Sequence, residues 1–336
     1  MRFRDPVTGF VYPEEWVSAC RDPDALGLAR AGRAVLTSSG RVLMRGFTTG
    51  TTAAAACKAA ILSLNGEIKS VEVKVPAGLT IDVPVSGRGG HAVCHKYAGD
   101  YPGDVTAGIA FVAEYQPGDG CISLVAGEGI GRFSRATPRY GKGEPAISPP
   151  ARDCILRSIE EAIETSGLDG ARIILSVPAG KCIAEKTLNP VIGITGGISV
   201  LGTTGLVEPW DDHMCEAVME RVSGSGRMVL TTGRIGMQYS RMLFPDHDVI
   251  LVGGKIKEAL SHARGEVILC GLPGLVLRYA DPQILEGSGY VTVEELCEDP
   301  SFGDRLARAV TLFHTRHPGV RVVIFDRRGR VLGDFQ

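Results

Sequence analysis

Four segments combine residue types that binding or catalysis needs. Arg45-Gly46-Phe47-Thr48-Thr49-Gly50-Thr51-Thr52 runs straight into an alanine-rich stretch. As a helix start it carries four hydroxyls and free backbone N–H groups, a setting that favours carboxylates and other anions. An N-cap is the plain alternative, but four hydroxyls exceed what one cap uses. Gly127-Glu128-Gly129-Ile130-Gly131 ends an apolar strand pattern, the place where many cofactor-binding chains let backbone approach a ligand. No helix pattern follows it, so it is not the usual nucleotide loop. Arg132, Arg135, Arg139 and Lys142 come next and form a basic loop able to hold carboxylates, although a solvated loop has the same composition.

The third segment, Gly193 to Gly205, has five glycines and four hydroxyl residues within thirteen positions, interleaved with Ile, Val and Leu. Glycine this dense costs chain entropy. Close approach to a bound molecule would compensate, and tight strand crossings would do so equally. Gly196, Gly197, Ser199, Gly202, Thr203, Thr204 and Gly205 are therefore the cofactor-binding candidates, with Gly233, at the end of a later strand pattern, as a further contact. The fourth segment places Asp100 and Asp104 in a Gly/Pro turn with Thr106. Such carboxylates can act as acid or base, or simply bond their own turn. Asp100, Asp104, Glu128 and Glu208 are the candidate acid/base residues; Thr48, Thr49, Thr51, Arg132 and Arg135 are the candidate substrate donors.

Several chemistries have no support. His91, Cys94 and His95 are close in sequence, but in a strand Cys94 points away from the two histidines and no second ligand cluster exists, so no bound metal is expected. P-loop, zinc-protease and nucleophile-elbow motifs are absent.

The elements that must carry these segments read as follows. Residues 1–44 form an arm with a hairpin at Val35–Met44. Residues 45–222 form an α+β domain. Its first helix covers Ala53–Leu64 and stops at Gly66. A meander of short antiparallel strands follows (Val71–Val75, Ile81–Val85, Ala92–Lys96, Gly108–Tyr115, Cys121–Ala126). A helix then starts at Ser148 with Pro149 in its first turn, followed by a strand at Arg172–Val177 and a short helix at Cys182–Leu188. A helix at Asp211–Val222 leads to Ser223-Gly224-Ser225-Gly226. From 223 to 336 apolar strands alternate with helices (Met228–Thr232, 235–243, Val249–Val252, 255–263, Val267–Cys270, Phe302–His314, Val320–Phe325), the rhythm of a smaller Rossmann-like α/β domain.

Composition agrees. A length of 336 residues suits two domains. Hydrophobic residues at 44% and charged residues at 22% support ordinary cores, and a net charge of −2 argues against a dedicated nucleic-acid binder. Nine scattered cysteines without C-x-x-C read as reduced thiols. No apolar run is long enough to span a membrane, and Met1–Pro13 is not a signal peptide, so a cytoplasmic protein is expected.

Taken together, the segments resemble one family, CbiD. The resemblance rests on Arg45–Ala56, Ala98–Thr106, Gly127–Gly131, Gly143–Pro149, Ser176–Gly180, Ala184–Pro190 and Gly193–Pro209, in the family's order. The chain departs from the commoner pattern at Thr52 and Tyr97, where Cys and Asp are usual. Its Asp5–Trp16 arm and short C-terminal half resemble the archaeal branch. The resemblance implies transfer of a methyl group from S-adenosylmethionine to C1 of cobalt-precorrin-5B in anaerobic cobalamin biosynthesis. It also implies a corrinoid substrate that brings its own cobalt. A second copy of the chain or other corrinoid-pathway enzymes are the candidate protein partners. Two other readings stay open at this point: a small-molecule kinase with Gly/Thr-rich phosphate loops, and a non-catalytic corrinoid-binding partner.

Overall fold

Alanine decides the architecture of the first half. The computed structural model describes residues 3–101, 103–137, 140–190, 192–209 and 218–336, and the chain divides into two compact units, Met44–Pro209 and Met1–Leu43 with Trp210–Gln336. In the Met44–Pro209 unit, helix α1 (Thr49–Leu62) is capped by the Thr48 hydroxyl, which accepts from the Thr51 N–H. Every residue from Thr49 to Cys57 is buried. A helix apolar all round has to be covered on all sides, and small side chains let its neighbours come close. On one side lie β1 (Ile68–Lys74), β2 (Thr80–Arg88), β3 (His91–His95) and β4 (Ala110–Pro117). On the other lies α2 (Pro149–Ser166), whose Ala151 approaches so near that a Cβ on Gly50 would stand 2.7 Å from its methyl. Pro149 opens α2, and Gly167, left-handed at φ 65°, ends it.

Strands β5 (Ile122–Ala126) and β6 (Ala171–Ser176) complete a six-stranded sheet in the order β1-β2-β3-β4-β6-β5. The meander holds from β1 to β4. It fails at β5, which does not pair with β4 but runs parallel to β6, inserted between them. Burial explains the exchange: every second residue of β6 is buried and only Arg172 is exposed, whereas β5 has no buried residue and suits the edge. The expected helix at Cys182–Leu188 is shorter and earlier, Gly180–Ala184.

In the second unit a parallel sheet forms from β7 (Arg227–Thr231), β8 (Asp248–Leu251), β9 (Glu266–Gly271) and β10 (Arg321–Phe325), with β11 (Val331–Phe335) antiparallel at the edge. The order is β8-β7-β9-β10-β11. Helices α3 (Gly233–Leu243), α4 (Ile256–His262), α5 (Pro273–Ala280) and α6 (Phe302–Arg316) lie between the strands in sequence. Of the expected helix Asp211–Val222, residues 211–217 lie outside the described residues; Val218–Gly224 is helical.

Residues 1–43 are no separate arm. Tyr12, Val35 and Leu36 are buried with Val229, Met237, Val249 and Phe325 on one face of this sheet, and Phe3, Phe10 and Trp16 pack around them. The other face is covered by apolar residues of α4, α5 and α6. A parallel sheet has two apolar faces to cover, and with α3 alone on the first face the N-terminal segment completes the layer. Among the described residues no helix is long and apolar enough to cross a membrane.

Candidate functional site

The motif segments of the Met44–Pro209 unit meet beside the sheet in a knot of very short ladders. Gly46–Phe47 pairs with Leu206–Val207, Gly129–Ile130 runs parallel to Gly197–Ile198, and Arg132–Phe133 pairs with Ile194–Thr195. Single bridges join Arg45 to Gly99 and Ile147 to Val200.

The threonines at the start of α1 fasten this knot. The Thr49 hydroxyl accepts from the Leu201 N–H at 2.8 Å, and the Thr51 hydroxyl donates to the Gly205 carbonyl at 2.6 Å. The Gly50 N–H donates to the Leu201 carbonyl, and the Thr48 N–H to that of Gly205. Thr52 donates back to the Thr48 carbonyl. Of the hydroxyls expected to meet substrate, those of Thr49 and Thr51 hold residues 199–205 against the helix, and that of Thr48 caps the helix itself. Ser199 is engaged likewise, donating to Asn189 Oδ1 at 3.1 Å. Asn189 is 5% exposed and escaped the sequence reading, although it stands in the Ala184–Pro190 motif.

Glycine density has the same explanation. An added Cβ on Gly129 would lie 1.8 Å from the Val177 carbonyl oxygen; on Gly197, 2.1 Å from that of Gly129; on Gly131, 2.7 Å from that of Gly197. On Gly202 it would meet Thr48 Oγ1 at 2.5 Å, and on Gly205 the Val75 side chain at 2.6 Å. The two glycine-rich motifs cross each other, and the backbone they admit is the protein's own. Thr204 bonds locally, donating to the Leu206 carbonyl. Gly196, left-handed at φ 79°, and Thr203 are the members of this group that face solvent. Gly233 also faces open space, but in the other unit.

Three of the four candidate carboxylates have structural partners. Asp100 accepts from the Met44 N–H at 2.7 Å. Glu208 meets Arg45 Nε at 2.9 Å, and Arg45 is wholly buried. Asp104 pairs with the buried Lys96 and accepts from the Thr106 N–H and hydroxyl. Burial pushes the Asp104 carboxyl up, but the charge of Lys96 and the bonds from Lys96 and Thr106 outweigh it and leave the group below the ordinary carboxylate range. A depressed carboxylate stabilises the fold above its unfolded-state pKa of about 4, and that contribution is lost as pH falls through the folded value. Asp104→Asn is therefore expected to lower stability at pH 7 by about 3–5 kcal/mol, the usual cost of breaking a buried ion pair. It should also flatten the acid limb of a stability-against-pH curve measured by urea unfolding; an acid limb as steep as that of the unmodified chain would count against this assignment.

Glu128 differs. It is exposed, with no side-chain partner among the described residues. Its neighbour Gly129 pairs with Gly197, so it stands at the same crossing as Arg132, Thr195 and Gly196. Arg132 reaches the carbonyls of Gly143 and Ala126 yet stays exposed, and Arg135 is exposed beside Gly193. Arg139 lies outside the described residues. This surface offers a carboxylate, two guanidinium groups and, at Ile192, an exposed apolar side chain. It can receive an anionic, partly apolar ligand and exchange a proton with it. His91 and His95 are exposed on β3 while Cys94 is buried. The buried thiols of Cys57, Cys94, Cys154 and Cys270 are all pushed up by burial and are poor nucleophiles.

The CbiD family profile matches residues 36–209. The chain is 58% identical to the "Cobalt-precorrin-5B C(1)-methyltransferase" of Methanoregula boonei, over 98% of this chain and 99% of that one. It is 51% identical to the protein of the same name from Methanospirillum hungatei, over 99% and 100%. Among solved structures, the cobalamin biosynthesis protein CbiD of Archaeoglobus fulgidus is similar at a TM-score of 0.57 and 35% identity, over 96% of this chain and 100% of that one.

Proposed function

The chain belongs to the CbiD family, and we propose that it methylates C1 of cobalt-precorrin-5B, with S-adenosylmethionine as methyl donor, to give cobalt-precorrin-6A. The observation that carries this is the near-full-length identity to proteins bearing that activity in their name. The donor supplies an electrophilic methyl on a sulfonium. An electron-rich ring carbon forms the new C–C bond as the C–S bond breaks, and the positive charge passed to the ring is relieved by loss of a proton to a base. No enzyme nucleophile takes part, which suits a chain whose buried thiols are held protonated. Rate then comes chiefly from orientation.

The residues divide accordingly. Arg132 and Arg135 hold carboxylate side chains of the corrinoid through charge-assisted bonds, and Glu128 is the base. Asp100, Asp104 and Glu208 keep the knot in shape. Neither the kinase nor the carrier reading is favoured by the relatives' names. Anaerobic incubation with donor and cobalt-precorrin-5B should yield S-adenosylhomocysteine in one-to-one ratio with corrinoid consumed. Donor turnover independent of the corrinoid, or none at all, would defeat the reading.

A further inference from the structure

The carboxyl edge of the parallel sheet in the second unit is built unlike the glycine-rich knot. Strand order reverses between β7 and β9. Helix α3 leaves the end of β7 toward one face and α5 leaves the end of β9 toward the other: Met237 of α3 and Val276 of α5 are buried in different cores. Helices diverging in this way open a crevice at the strand ends, where open α/β sheets take their ligands. The loop after β8 borders it, since the Val252 N–H donates to the Thr231 carbonyl at 2.9 Å.

Four observations at this edge point to an anion. Gly233, Gly253, Gly254 and Gly274 follow the three strands, and a Cβ on any of them would meet nothing within 4 Å. These glycines leave space that the protein itself does not fill. The α3 N-terminus has no side-chain cap: Thr232 holds the N-cap position without a capping bond. Arg234 stands in the first turn of α3, where the helix dipole disfavours a cation. Its side chain is exposed and makes no hydrogen bond or ion pair among the described residues, and the same is true of the side chain of Lys255 in the neighbouring loop. Finally, the Thr231 hydroxyl is wholly buried and unpartnered. It lies between the first turn of α3 and the end of β9, 2.5 Å from where a Cβ on Gly236 would sit and 3.9 Å from one on Gly271. Leu272 and the exposed Leu275 add an apolar wall on the α5 side.

We propose that this edge is a carboxylate-binding site that seats a ligand of the methylation reaction on the free N–H groups of α3 with Arg234 and Lys255. The inference rests on the methyltransferase reading. Both reactants carry the required chemistry: the donor has an amino-acid carboxylate and the corrinoid has acetate and propionate arms.

The test uses the full chain and three variants, Arg234→Ala, Gly254→Val and Thr231→Val, each titrated anaerobically with S-adenosylhomocysteine and with cobalt-precorrin-5B. Arg234→Ala and Gly254→Val should each weaken binding of one of the two about ten-fold, the loss of one charge-assisted contact or of the space for it. Whichever titration responds identifies the source. Thr231→Val should leave the unliganded melting temperature unchanged or higher, because it removes an unpartnered buried hydroxyl, while weakening that same ligand. Unaltered affinity for both ligands in all three variants, with methyl transfer intact in the unmodified chain, would overturn the site alone. If the unmodified chain neither binds them nor transfers methyl, the functional reading falls with it.

Discussion

Alanine at Gly129 or Gly197 is expected to destabilise the protein by about 4 kcal/mol or more, whereas alanine at Gly196 should cost only about 1–2 kcal/mol. The three residues are near neighbours in one knot, so the contrast isolates what the crossing demands. At Gly129 the new methyl would fall 1.8 Å from the Val177 carbonyl oxygen, and the backbone is left-handed at φ 73°. At Gly197 it would fall 2.1 Å from the Gly129 carbonyl oxygen. Backbone on backbone cannot turn aside as a side chain can, so a strand pair must separate and the 127–135 and 193–198 segments must lose their ladder. At Gly196 only the left-handed conformation penalises the methyl, since its space is open. Urea midpoints at constant slope measure all three. Equal midpoints for Gly197→Ala and Gly196→Ala would show that the crossing is not what the glycines are for.

The second large effect concerns Glu208. Arg45 is completely buried, and Glu208 sits 2.9 Å from its Nε. Removing one partner of such a pair commonly costs about 3–5 kcal/mol, because a buried charge loses a charged contact without regaining solvent. Glu208→Ala is expected to fall in that range. Glu208→Gln keeps an acceptor for the guanidinium and should recover roughly half of the loss. Turnover separates this positioning role from proton transfer. Glu208→Gln, assayed well below its melting temperature, should retain methyl transfer within about ten-fold of the unmodified chain, whereas removal of a general base lowers rate by about 10²–10⁴. Near-complete loss of turnover with stability preserved would return Glu208 to the list of bases and remove Glu128 from it.

Local signals carried far into the fold. Ser148, Pro149 and Gly167 bound a helix in the sequence and bound one in the structure; the alanine run after Gly50 is helical and buried. Long-range choices were less visible. Nothing local tells β6 to insert between β4 and β5, because the choice depends on which strand has the more apolar faces once all are present. The arm was misread for a related reason. Phe3, Phe10, Tyr12 and Trp16 follow neither a helical nor a strand period, and only the exposed face of a sheet far along the chain gives them a place. Helix α5 and strand β11 went unseen, one behind the turn-like Leu272-Pro273-Gly274 and the other because Gly333 interrupts a short edge strand.

The site was legible as a place more than as a list of roles. The glycine and threonine motifs converge in the fold, which neither motif announces by itself. A hydroxyl or a bare backbone, however, looks the same in sequence whether it serves a ligand or another loop, and here Thr49, Thr51, Gly197 and Gly202 serve loops. What marks Gly197 and Gly202 is the crowding around them, whereas Gly233, Gly253 and Gly254 stand in open space, and sequence composition does not record the difference.

The functional account stands or falls on where the methyl group goes. Anaerobic reaction of the full chain with cobalt-precorrin-5B and S-adenosylmethionine labelled with carbon-13 in its methyl, read by carbon NMR of the isolated product, decides it. A single labelled methyl on ring carbon C1 is the predicted result. A labelled methyl on any other carbon, or unlabelled corrinoid recovered from protein that binds it, would contradict the account.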